Sequence, residues 1–336
     1  MEARSEAELP RGAGWQFEPK WDGFRCLARR ADGKVDLLGR SGKNLSRYFP
    51  DVVANLSKLK ARRFVLDGEL VIPVDRALSF EALQMRLHPA ASRVNKLAAE
   101  HPARLIAFDA LEIGGRELRG ETLAVRRRAL EQFFGAVPAE AGLLLSPKTT
   151  RRATASAWLR RAGSGALDGV VAKRLDQPYL AGERAMIKVK CLRTADCVVG
   201  GFRFAGASRT VGSLLLGLYD EDGKLDHVGF VSSFPESARP DLKRRMMGLR
   251  GGTGFTGAAP GGPSRWSTER SGQWEPVKPR LVVEVQYDQV TGDRFRHGTR
   301  FVRWRPDKRP AECTFYQLHQ EAAPSRLMAD LERARK

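Results

Sequence analysis

Three apolar segments in the first half of the chain have the length of buried strands, yet each contains acidic residues. They are 64–72 with Asp67 and Glu69, 103–111 with Asp109, and 168–174 with Asp168. Burying a charged group costs free energy unless the group is paired or binds a ligand or a metal. The strands must therefore surround a polar site. Helical patterns lie between them but do not alternate with them as regular βαβ units, which favours an α+β fold over a doubly wound sheet.

Other local patterns predict the remaining elements of this half. Alternating or apolar runs predict strands at 15–18, 24–28, 35–38 and 186–190. Helical periodicity predicts helices at 49–59, 79–87, 94–100, 123–134 and 153–162. On the amphipathic helix 123–134, Arg126, Arg127 and Arg128 are expected to lie on the exposed side.

The sequence pattern changes near residues 192–197. Beyond this point, short β runs are separated by Gly or Asp turns, and one helix is predicted. The β runs are 197–204, 213–219, 227–231 and 280–287, and the helix is 236–249. Such a set of strands suits a small Greek-key barrel such as an OB-fold. The GxGxxG letters at 252–257 precede a Pro- and Gly-rich stretch instead of a helix, so we expect a flexible loop there and no dinucleotide site.

The net charge narrows the range of partners. Among 336 residues, 58 Lys and Arg oppose 39 Asp and Glu, which gives a formal charge of +19. Such a field attracts nucleic acids, membrane surfaces and acidic small molecules. No apolar run approaches the ~20 residues that span a bilayer, which argues against a membrane protein. The four cysteines form no CxxC pair and the five histidines are scattered, so we expect free thiols and no zinc site.

Lysines accompany the acids in a recurring pattern. Lys20 lies just before a turn, and Lys173 follows the acid-Gly pair at 168–169. Lys188 and Lys190 lie on one face of a predicted strand, because strand side chains alternate. Charged groups gathered in this way are costly unless they bind a ligand, so the first half is expected to hold a polyanion and a metal.

In their order and spacing, these segments resemble the motifs of the covalent nucleotidyltransferase superfamily. Within it they resemble ATP-dependent DNA ligases, most of all the small bacterial ligase C group. The matching segments are motif I at 20–25 (KWDGFR), motif III at 67–69 (DGE), the aromatic-acid pair at 108–109 (FD), motif IV at 168–173 (DGVVAK), motif V at 188–190 (KVK) and the closing motif at 300–308 (RFVRWRPDK). Motif IV usually begins with Glu, and Asp168 shortens the reach of that carboxylate by one methylene.

The resemblance implies two domains and a short tail. Residues 1–193 are expected to form an ATP-grasp-like nucleotidyltransferase (adenylation) domain. Residues 194–320 are expected to form an OB-fold β-barrel domain, and 321–336 a helical tail. Because the closing motif belongs to the OB domain but acts on nucleotide held by the other domain, residues 192–196 are expected to act as a hinge.

The resemblance also implies a three-step reaction. The Lys20 amine attacks the α-phosphate of ATP, releases pyrophosphate and becomes lysyl-AMP. The AMP passes to the 5′-phosphate at a nick, and the 3′-hydroxyl then displaces AMP and seals the strand. A lysine is a poor nucleophile until burial or nearby cations lower its pKa, and Lys188, Lys190 and a divalent metal are expected to supply positive surroundings.

The other matched residues take roles from the same resemblance. Those expected to bind nucleotide or phosphate are Glu18 at the adenine edge, Phe108 stacked on the base, Arg25 and Glu69 at the ribose or 5′-phosphate, Lys173 of motif IV, Arg40 and Arg184 at the nucleotide or nick phosphate, and Arg303, Asp307 and Lys308 at the pyrophosphate. Glu69 and Asp168 are expected to hold Mg²⁺ or Mn²⁺.

The partners implied are nicked double-stranded DNA, ATP and DNA-repair proteins. A monomer in the bacterial cytoplasm, associated with the nucleoid and not with a membrane, is expected. Since nicks occur at any sequence, DNA contacts are expected to be mostly to the backbone. The resemblance favours a repair role over replication.

Two alternatives stay open. One is another member of the superfamily, an RNA ligase or a GTP-using capping enzyme. The other, from a different class, is a non-catalytic nucleic-acid binder with an OB domain. The Arg40 segment and the closing motif favour a DNA ligase, and the intact Lys20, Glu69, Lys188 and Lys190 argue against a non-catalytic protein.

Overall fold

The computed structural model describes residues 1–74, 77–162, 167–206, 210–261 and 272–318. Within these residues the chain forms two compact units, one comprising residues 1–191 and the other beginning at Leu192. The helix predicted for 321–336 lies outside the described residues. No helix in the described ranges is long and apolar enough to cross a membrane.

The first unit combines short helices with two larger sheets, in agreement with the predicted α+β class. Its strands are β1 (Ala3–Ser5), β2 (Trp15–Trp21), β3 (Phe24–Ala31), β4 (Lys34–Gly39), β5 (Phe64–Val71), β6 (Pro73–Val74), β7 (Ala77–Leu78), β8 (Arg104–Ile113), β9 (Arg116–Glu117), β10 (Leu143–Leu145), β11 (Leu167–Arg174) and β12 (Met186–Lys190). Its helices are α1 (Pro50–Ser57), α2 (Phe80–Arg86), α3 (Ala91–Glu100), α4 (Leu123–Phe134) and α5 (Arg152–Arg160).

Local sequence explains several ends of these elements. Pro50 begins α1, where its missing N–H leaves no bond unmade. The Ser79 hydroxyl caps α2 by accepting a hydrogen bond from Ala82 N at 3.1 Å. Asp32 and Gly33 connect β3 to β4 with φ values of 51° and 77°, as a two-residue hairpin turn requires.

A four-stranded sheet in the order β1-β12-β11-β2 carries most of the predicted motif residues. Both β2 and β12 run antiparallel to β11. The register forms two rows across these strands, one of Lys20, Gly169 and Lys190 and one of Glu18, Val171 and Lys188. Because strand side chains alternate, both rows share one face of the sheet. The opposite face packs in an apolar core with α5, whose buried members include Phe17, Val170, Ala172 and Ile187.

Two motif glycines are required by the close approach of neighbouring backbone. A Cβ on Gly169 would lie 2.1 Å from the Val189 carbonyl oxygen, and the φ of Gly169 is +152°. A Cβ on Gly23 would lie 2.2 Å from the Leu70 carbonyl oxygen. Any other residue at either position would force the chain segments apart.

A six-stranded sheet supplies the second set of motif residues. Its order is β10-β8-β5-β3-β4, with β9 paired to β8. Strand β5 runs antiparallel to both β3 and β8, which sets Glu69 opposite Arg25 and Asp67 opposite Asp109. Helices α1, α2 and α4 contribute apolar side chains to the core of this sheet, among them Leu56, Leu83 and Leu130.

The prediction for the arginines of α4 is wrong for two of the three. Arg128 is exposed, but Arg126 and Arg127 are only 1% and 2% exposed. Arg126 is paired with Asp109 of β8, and Arg127 donates a hydrogen bond to the Ser146 carbonyl at 2.6 Å. Both arginines are buried because their acceptors lie on other segments of the chain. The helical pattern of 123–134 contains no information about those acceptors.

The second unit is a small antiparallel barrel with one helix. Its strands are β13 (Arg193–Phe204), β14 (Val211–Tyr219), β15 (Leu225–Val231), β16 (Glu275–Pro276), β17 (Val282–Tyr287), β18 (Val290–Thr291), β19 (Arg294–Phe295) and β20 (Arg300–Trp304), and its helix is α6 (Arg239–Leu249). The main sheet has the order β15-β14-β13-β17-β20. A parallel bridge between Val231 and Thr299 joins its two ends, which closes the sheet into a barrel.

The segment 252–257 is a loop, as predicted, but it is anchored to the barrel. Phe255 is 8% exposed and belongs to the barrel core. Its ring centre lies 5.5 Å from that of Trp274. A Cβ on Gly200 would lie 2.6 Å from the Phe255 ring, so this glycine makes room for the aromatic side chain.

Candidate active site

Lys20 lies in a charged cluster on the shared face of the four-stranded sheet. Its Nζ donates a hydrogen bond to Asp168 Oδ2 at 2.5 Å, and Lys190 Nζ lies 3.3 Å from the same oxygen. Asp168 is only 4% exposed. One buried carboxylate oxygen therefore holds the predicted nucleophile beside a second ammonium group.

The other oxygen of Asp168, Oδ1, is buried without a hydrogen-bond partner among the described residues. Buried polar atoms are normally satisfied, so this oxygen has unused capacity for an ion. Within the described part of the chain, no group of three or more His, Cys, Asp or Glu could form a metal centre alone. Mg²⁺ commonly takes one or two carboxylates, waters and substrate phosphates. Asp168 and Glu69 thus fit a metal that binds together with the nucleotide.

Two titratable groups around Lys20 have shifted pKa values. Burial raises the pKa of the half-buried Glu69 carboxyl to about 8, against the opposing effect of the Lys20 and Arg25 charges. Burial, followed by the charges of Lys190 and Lys20, lowers the pKa of the Lys188 amine. This corner of the sheet is therefore poor in solvent and rich in positive charge, as an anion-binding site requires.

Glu18 is fixed between two buried side chains. Its Oε1 accepts a hydrogen bond from Gln16 Nε2 at 2.6 Å, and its Oε2 accepts one from Lys173 Nζ at 2.8 Å. All three residues are at most 3% exposed. Lys173 Nζ also lies 4.5 Å from the centre of the Phe108 ring. The residue predicted to read the base edge and the residue predicted to stack on the base are thus linked through Lys173.

Arg25 is held by Asp67, a buried acid for which the sequence analysis predicts no separate role. Its guanidinium forms a two-point contact with Asp67, Nε to Oδ1 at 3.1 Å and Nη2 to Oδ2 at 2.7 Å. The Tyr179 hydroxyl donates to Asp67 Oδ2 at 2.7 Å. The position of Arg25 is consequently fixed by Asp67, Tyr179 and the strand pairing that holds them.

Asp109 has a matching arrangement on the next strand. Arg126 makes a two-point contact with its carboxylate, at 2.8 and 2.9 Å, and both side chains are almost fully buried. The Arg126 guanidinium also lies 5.6 Å from the centre of the Tyr179 ring. The acids Asp67 and Asp109, opposite each other on β5 and β8, therefore each have their own arginine.

The N-terminal strand β1 contributes to this region, although no sequence pattern predicts it. It pairs in parallel with β12, the strand of Lys188. Glu2 Oε1 accepts a hydrogen bond from Arg40 Nη2 at 2.8 Å, and the Met1 carbonyl accepts one from Arg25 Nη1. Two arginines predicted to bind phosphate are therefore occupied by protein acceptors in this structure.

A cavity of about 240 Å³ joins these groups. The predicted site residues that line it are Glu18, Lys20, Arg25, Arg40, Glu69, Phe108, Lys173 and Lys188. The two sheets of the first unit thus contribute side chains to one concave site, with cations, carboxylates and an aromatic ring on its wall. Such a combination suits a nucleotide, which needs a base platform and a cationic phosphate site.

The first unit contains three further predicted residues. Asp168 and Lys190 belong to the charged cluster around Lys20. Arg184 is exposed in the segment that precedes β12. In the second unit, each residue predicted to bind pyrophosphate has an ion pair. These pairs are Arg303 with Glu284 at 2.7 Å, Asp307 with Arg305 at 2.8 Å and Lys308 with Asp196 at 3.4 Å.

Sequence patterns miss several residues that hold the site together. Gln16, Tyr179 and Arg126 lie outside the recognisable motifs, and the partners of Tyr179 and Arg126 are distant in the chain. Gln16 alone left a local signal, because a polar side chain two residues before Glu18 lies on the same face of a strand. The contacts of Tyr179 and Arg126 depend on tertiary structure and have no local signal.

Two family models match this chain. The family model described as ATP dependent DNA ligase domain matches residues 5–190, and the one described as ATP dependent DNA ligase C terminal region matches residues 207–308. DNA ligase C1 of Mycolicibacterium smegmatis is 44% identical over 328 residues, which cover 95% of this chain and 92% of that protein.

Two further likenesses are informative. The multifunctional non-homologous end joining DNA repair protein LigD of Mycobacterium tuberculosis is 32% identical over 304 residues, covering 89% of this chain and 37% of that protein. A solved structure from a study of Lig E DNA ligases matches with a TM-score of 0.53 at 21% identity, covering 91% of this chain and all of that one, and so supports the fold.

The fold and the matches define a nucleotidyltransferase domain followed by an OB-fold domain. The chain belongs to the ATP-dependent DNA ligase family and is an enzyme that joins DNA. It is similar to the DNA ligase C proteins of mycobacteria over most of its length.

Proposed function

We propose that this ligase seals nicks with 3′-hydroxyl and 5′-phosphate ends, and that Lys20 carries the AMP. The observation that supports this assignment is the contact of Lys20 Nζ with the buried Asp168, at the wall of a cavity that also contains Glu18 and Phe108. A nucleophile beside a proton acceptor, next to a base-binding wall, is what covalent transfer of a nucleotide requires.

The first step needs Lys20 to lose a proton. Asp168 Oδ2 accepts a hydrogen bond from Nζ and is therefore the group placed to take that proton. The N–P bond to AMP then forms as the bond to pyrophosphate breaks. Lys188 and Lys190 stabilise the negative charge that develops on the α-phosphate.

A divalent cation is the implied cofactor, and we assign it to Asp168 and Glu69. The free Oδ1 of Asp168 and the half-buried Glu69 are the oxygen donors available to it. When bound, Mg²⁺ or Mn²⁺ would neutralise phosphate charge. The use of separate oxygens for the proton and for the metal lets Asp168 serve both roles.

The base is selected by the opposite end of the cavity. Glu18, with both oxygens already held by Gln16 and Lys173, presents a fixed acceptor to the amino group of adenine. Phe108 supplies the stacking surface. Guanine carries a carbonyl oxygen where adenine carries the amino group, so a fixed carboxylate disfavours GTP.

The phosphates of the nicked strand are assigned to Arg25, Arg40 and Arg184, and the pyrophosphate to Arg303, Asp307 and Lys308. Since Arg25 and Arg40 are held by Met1 and Glu2, binding of a phosphate requires these contacts to exchange. We further propose that the enzyme acts in bacterial DNA repair, which the name of the similar LigD protein supports, and that it is a monomer.

The test is covalent labelling with α-³²P nucleotides. The protein is incubated with labelled ATP or GTP and with Mg²⁺ or Mn²⁺, and it is then separated on a denaturing gel. We expect label from ATP that is absent in Lys20→Ala and Lys20→Arg, because only the native amine can form the lysyl-AMP. Lys60→Ala, at an exposed position, is the matched control and is expected to keep the label.

Sealing is then compared on nicked DNA and nicked RNA duplexes. Label in Lys20→Ala, or a preference for GTP, would refute the assignment of the site. Preferential sealing of the RNA duplex would contradict the proposal that nicked DNA is the substrate.

A further inference from the structure

The segment that leads into the OB barrel contains a buried acid that holds the closing motif. Asp196, on β13, accepts hydrogen bonds from Arg305 Nη1 at 2.8 Å to Oδ1 and 2.9 Å to Oδ2. Lys308 Nζ lies 3.4 Å from Asp196 Oδ2. The Asp196 side chain is 11% exposed, so these contacts are shielded from bulk water.

Asp307 completes the same cluster. Its carboxylate accepts hydrogen bonds from Arg305 Nε and Nη2, at 3.0 and 2.8 Å. Arg305 therefore lies between two acids, Asp196 on one side and Asp307 on the other. The direction in which Asp307 and Lys308 point is set by an arginine that Asp196 anchors.

The backbone of Asp196 is fixed as well. Gln317 Oε1 accepts a hydrogen bond from Asp196 N at 2.9 Å, and Gln317 Nε2 donates one to Asp196 O at 3.0 Å. These two hydrogen bonds hold the main chain of Asp196 against the segment that contains Gln317. Asp196 is thus immobilised through its main chain and then immobilises the closing motif through its side chain.

We propose that Asp196 is a positioning residue for the first step, holding Arg305, Asp307 and Lys308 in the arrangement that receives pyrophosphate. This inference rests on the proposed function, which gives the pyrophosphate role to Asp307 and Lys308. Removal of the Asp196 charge leaves Arg305 with Asp307 alone and releases Lys308. The side chains of Asp307 and Lys308 can then adopt other orientations. Misplacement of a binding group by about 1 Å is enough to slow a reaction about a hundredfold.

The variant that tests this is Asp196→Asn, which keeps the size of the side chain and removes its charge. We expect the rate of lysyl-AMP formation to fall roughly ten- to hundredfold, while sealing of a pre-adenylylated nick stays within about twofold of wild type. The concentration of pyrophosphate that discharges preformed lysyl-AMP should rise, because the same groups bind pyrophosphate in the reverse direction. Asp196→Glu keeps the charge and should recover part of the loss.

Asp241→Asn is the matched control. Asp241 also pairs with two arginines of the same unit, Arg244 and Arg245, but its side chain, on α6, is 39% exposed, so both steps should be unchanged. Equal loss of both steps in Asp196→Asn, with a lower Tm, would show a structural role and overturn the proposal. No loss of either step would overturn it as well. Absence of labelling in the wild-type protein would instead refute the proposed function.

Discussion

At the scale of single residues, the two oxygens of Asp168 have different surroundings, which supports the two roles proposed for them. Oδ2 is engaged by Lys20 and Lys190, whereas Oδ1 is buried without a partner among the described residues. Although Asp is one methylene shorter than the Glu usual at this position, Asp168 Oδ2 lies 2.5 Å from Lys20 Nζ. With Asp in place of Glu, the carboxylate thus still contacts Lys20, the proposed nucleophile.

Asp168→Asn tests the proton-accepting role. The amide keeps the shape of the side chain but is a much weaker base, so we expect lysyl-AMP formation to slow by roughly a hundredfold or more. The measurement is single-turnover labelling with ATP. Asp176→Asn, at an exposed acid on the segment after β11, should label at the wild-type rate. Similar labelling rates in the two variants would show that Asp168 is not the proton acceptor.

The raised pKa of Glu69 predicts that the rate of lysyl-AMP formation depends on pH. Its carboxyl has a pKa of about 8, so it is largely protonated at pH 7 and ionises as the pH rises through 8. If the ionised form binds the metal, lysyl-AMP formation at limiting Mg²⁺ should increase between about pH 7 and 9. Glu69→Gln should lose this rise, and an unaltered pH profile in that variant would contradict the assignment.

The same pKa predicts an effect on stability. The unfolded carboxyl ionises near its ordinary pKa, whereas the folded one stays protonated up to about 8, so the unfolded state is favoured progressively as the pH rises between these values. The Tm difference between Glu69→Gln and wild type should therefore shift in favour of the variant from pH 5 to pH 8, as a thermal melt in the absence of nucleotide would show.

At the scale of elements, strand alternation and pairing bring the motifs together. From the sequence, Lys188 and Lys190 were expected on one face of a strand, and the register places Lys20 and Glu18 on that same face of the sheet. The helix α4 shows where such reasoning ends. Its sequence pattern assigns Arg126 to solvent, and the partner that buries it, Asp109, lies on β8.

The α4 pair gives a stability prediction. Arg126→Met should lower the free energy of unfolding by about 3–5 kcal/mol, because it leaves Asp109 charged and buried without its partner. Arg128→Met, two residues further along the same helix and exposed, should change it by less than about 0.5 kcal/mol. Urea denaturation measures both. Equal effects of the two variants would show that the buried pair contributes little.

At the scale of the whole molecule, the first unit holds the proposed nucleophile and the proposed base-binding wall, and the second holds the closing motif. Family resemblance could assign that motif a role from the sequence, since its letters are contiguous. The contribution of β1 to the site could not be foreseen, because 1–14 is polar and its pairing with β12 joins residues about 180 positions apart. Contacts of this sequence separation have no local signature.

At this scale we predict that variants of the closing motif affect self-adenylylation and nick sealing to different extents. Asp307→Ala or Lys308→Ala should impair self-adenylylation, since both residues are assigned to pyrophosphate, but should largely spare sealing of a pre-adenylylated nick. Labelling with ATP and single-turnover sealing measure the two steps separately. A variant that loses both activities equally would contradict the division of roles between the two units.

The two crowded glycines have a practical consequence for anyone who wishes to redesign the enzyme. Gly23 and Gly169 lie in the same segments as the proposed reactive groups, yet their contribution is to leave space for neighbouring backbone. A mutant library designed to change the nucleotide specificity should therefore vary the charged and aromatic residues of the motifs and keep glycine at these two positions. Variants at the glycines would be lost to misfolding before their catalytic properties were ever sampled.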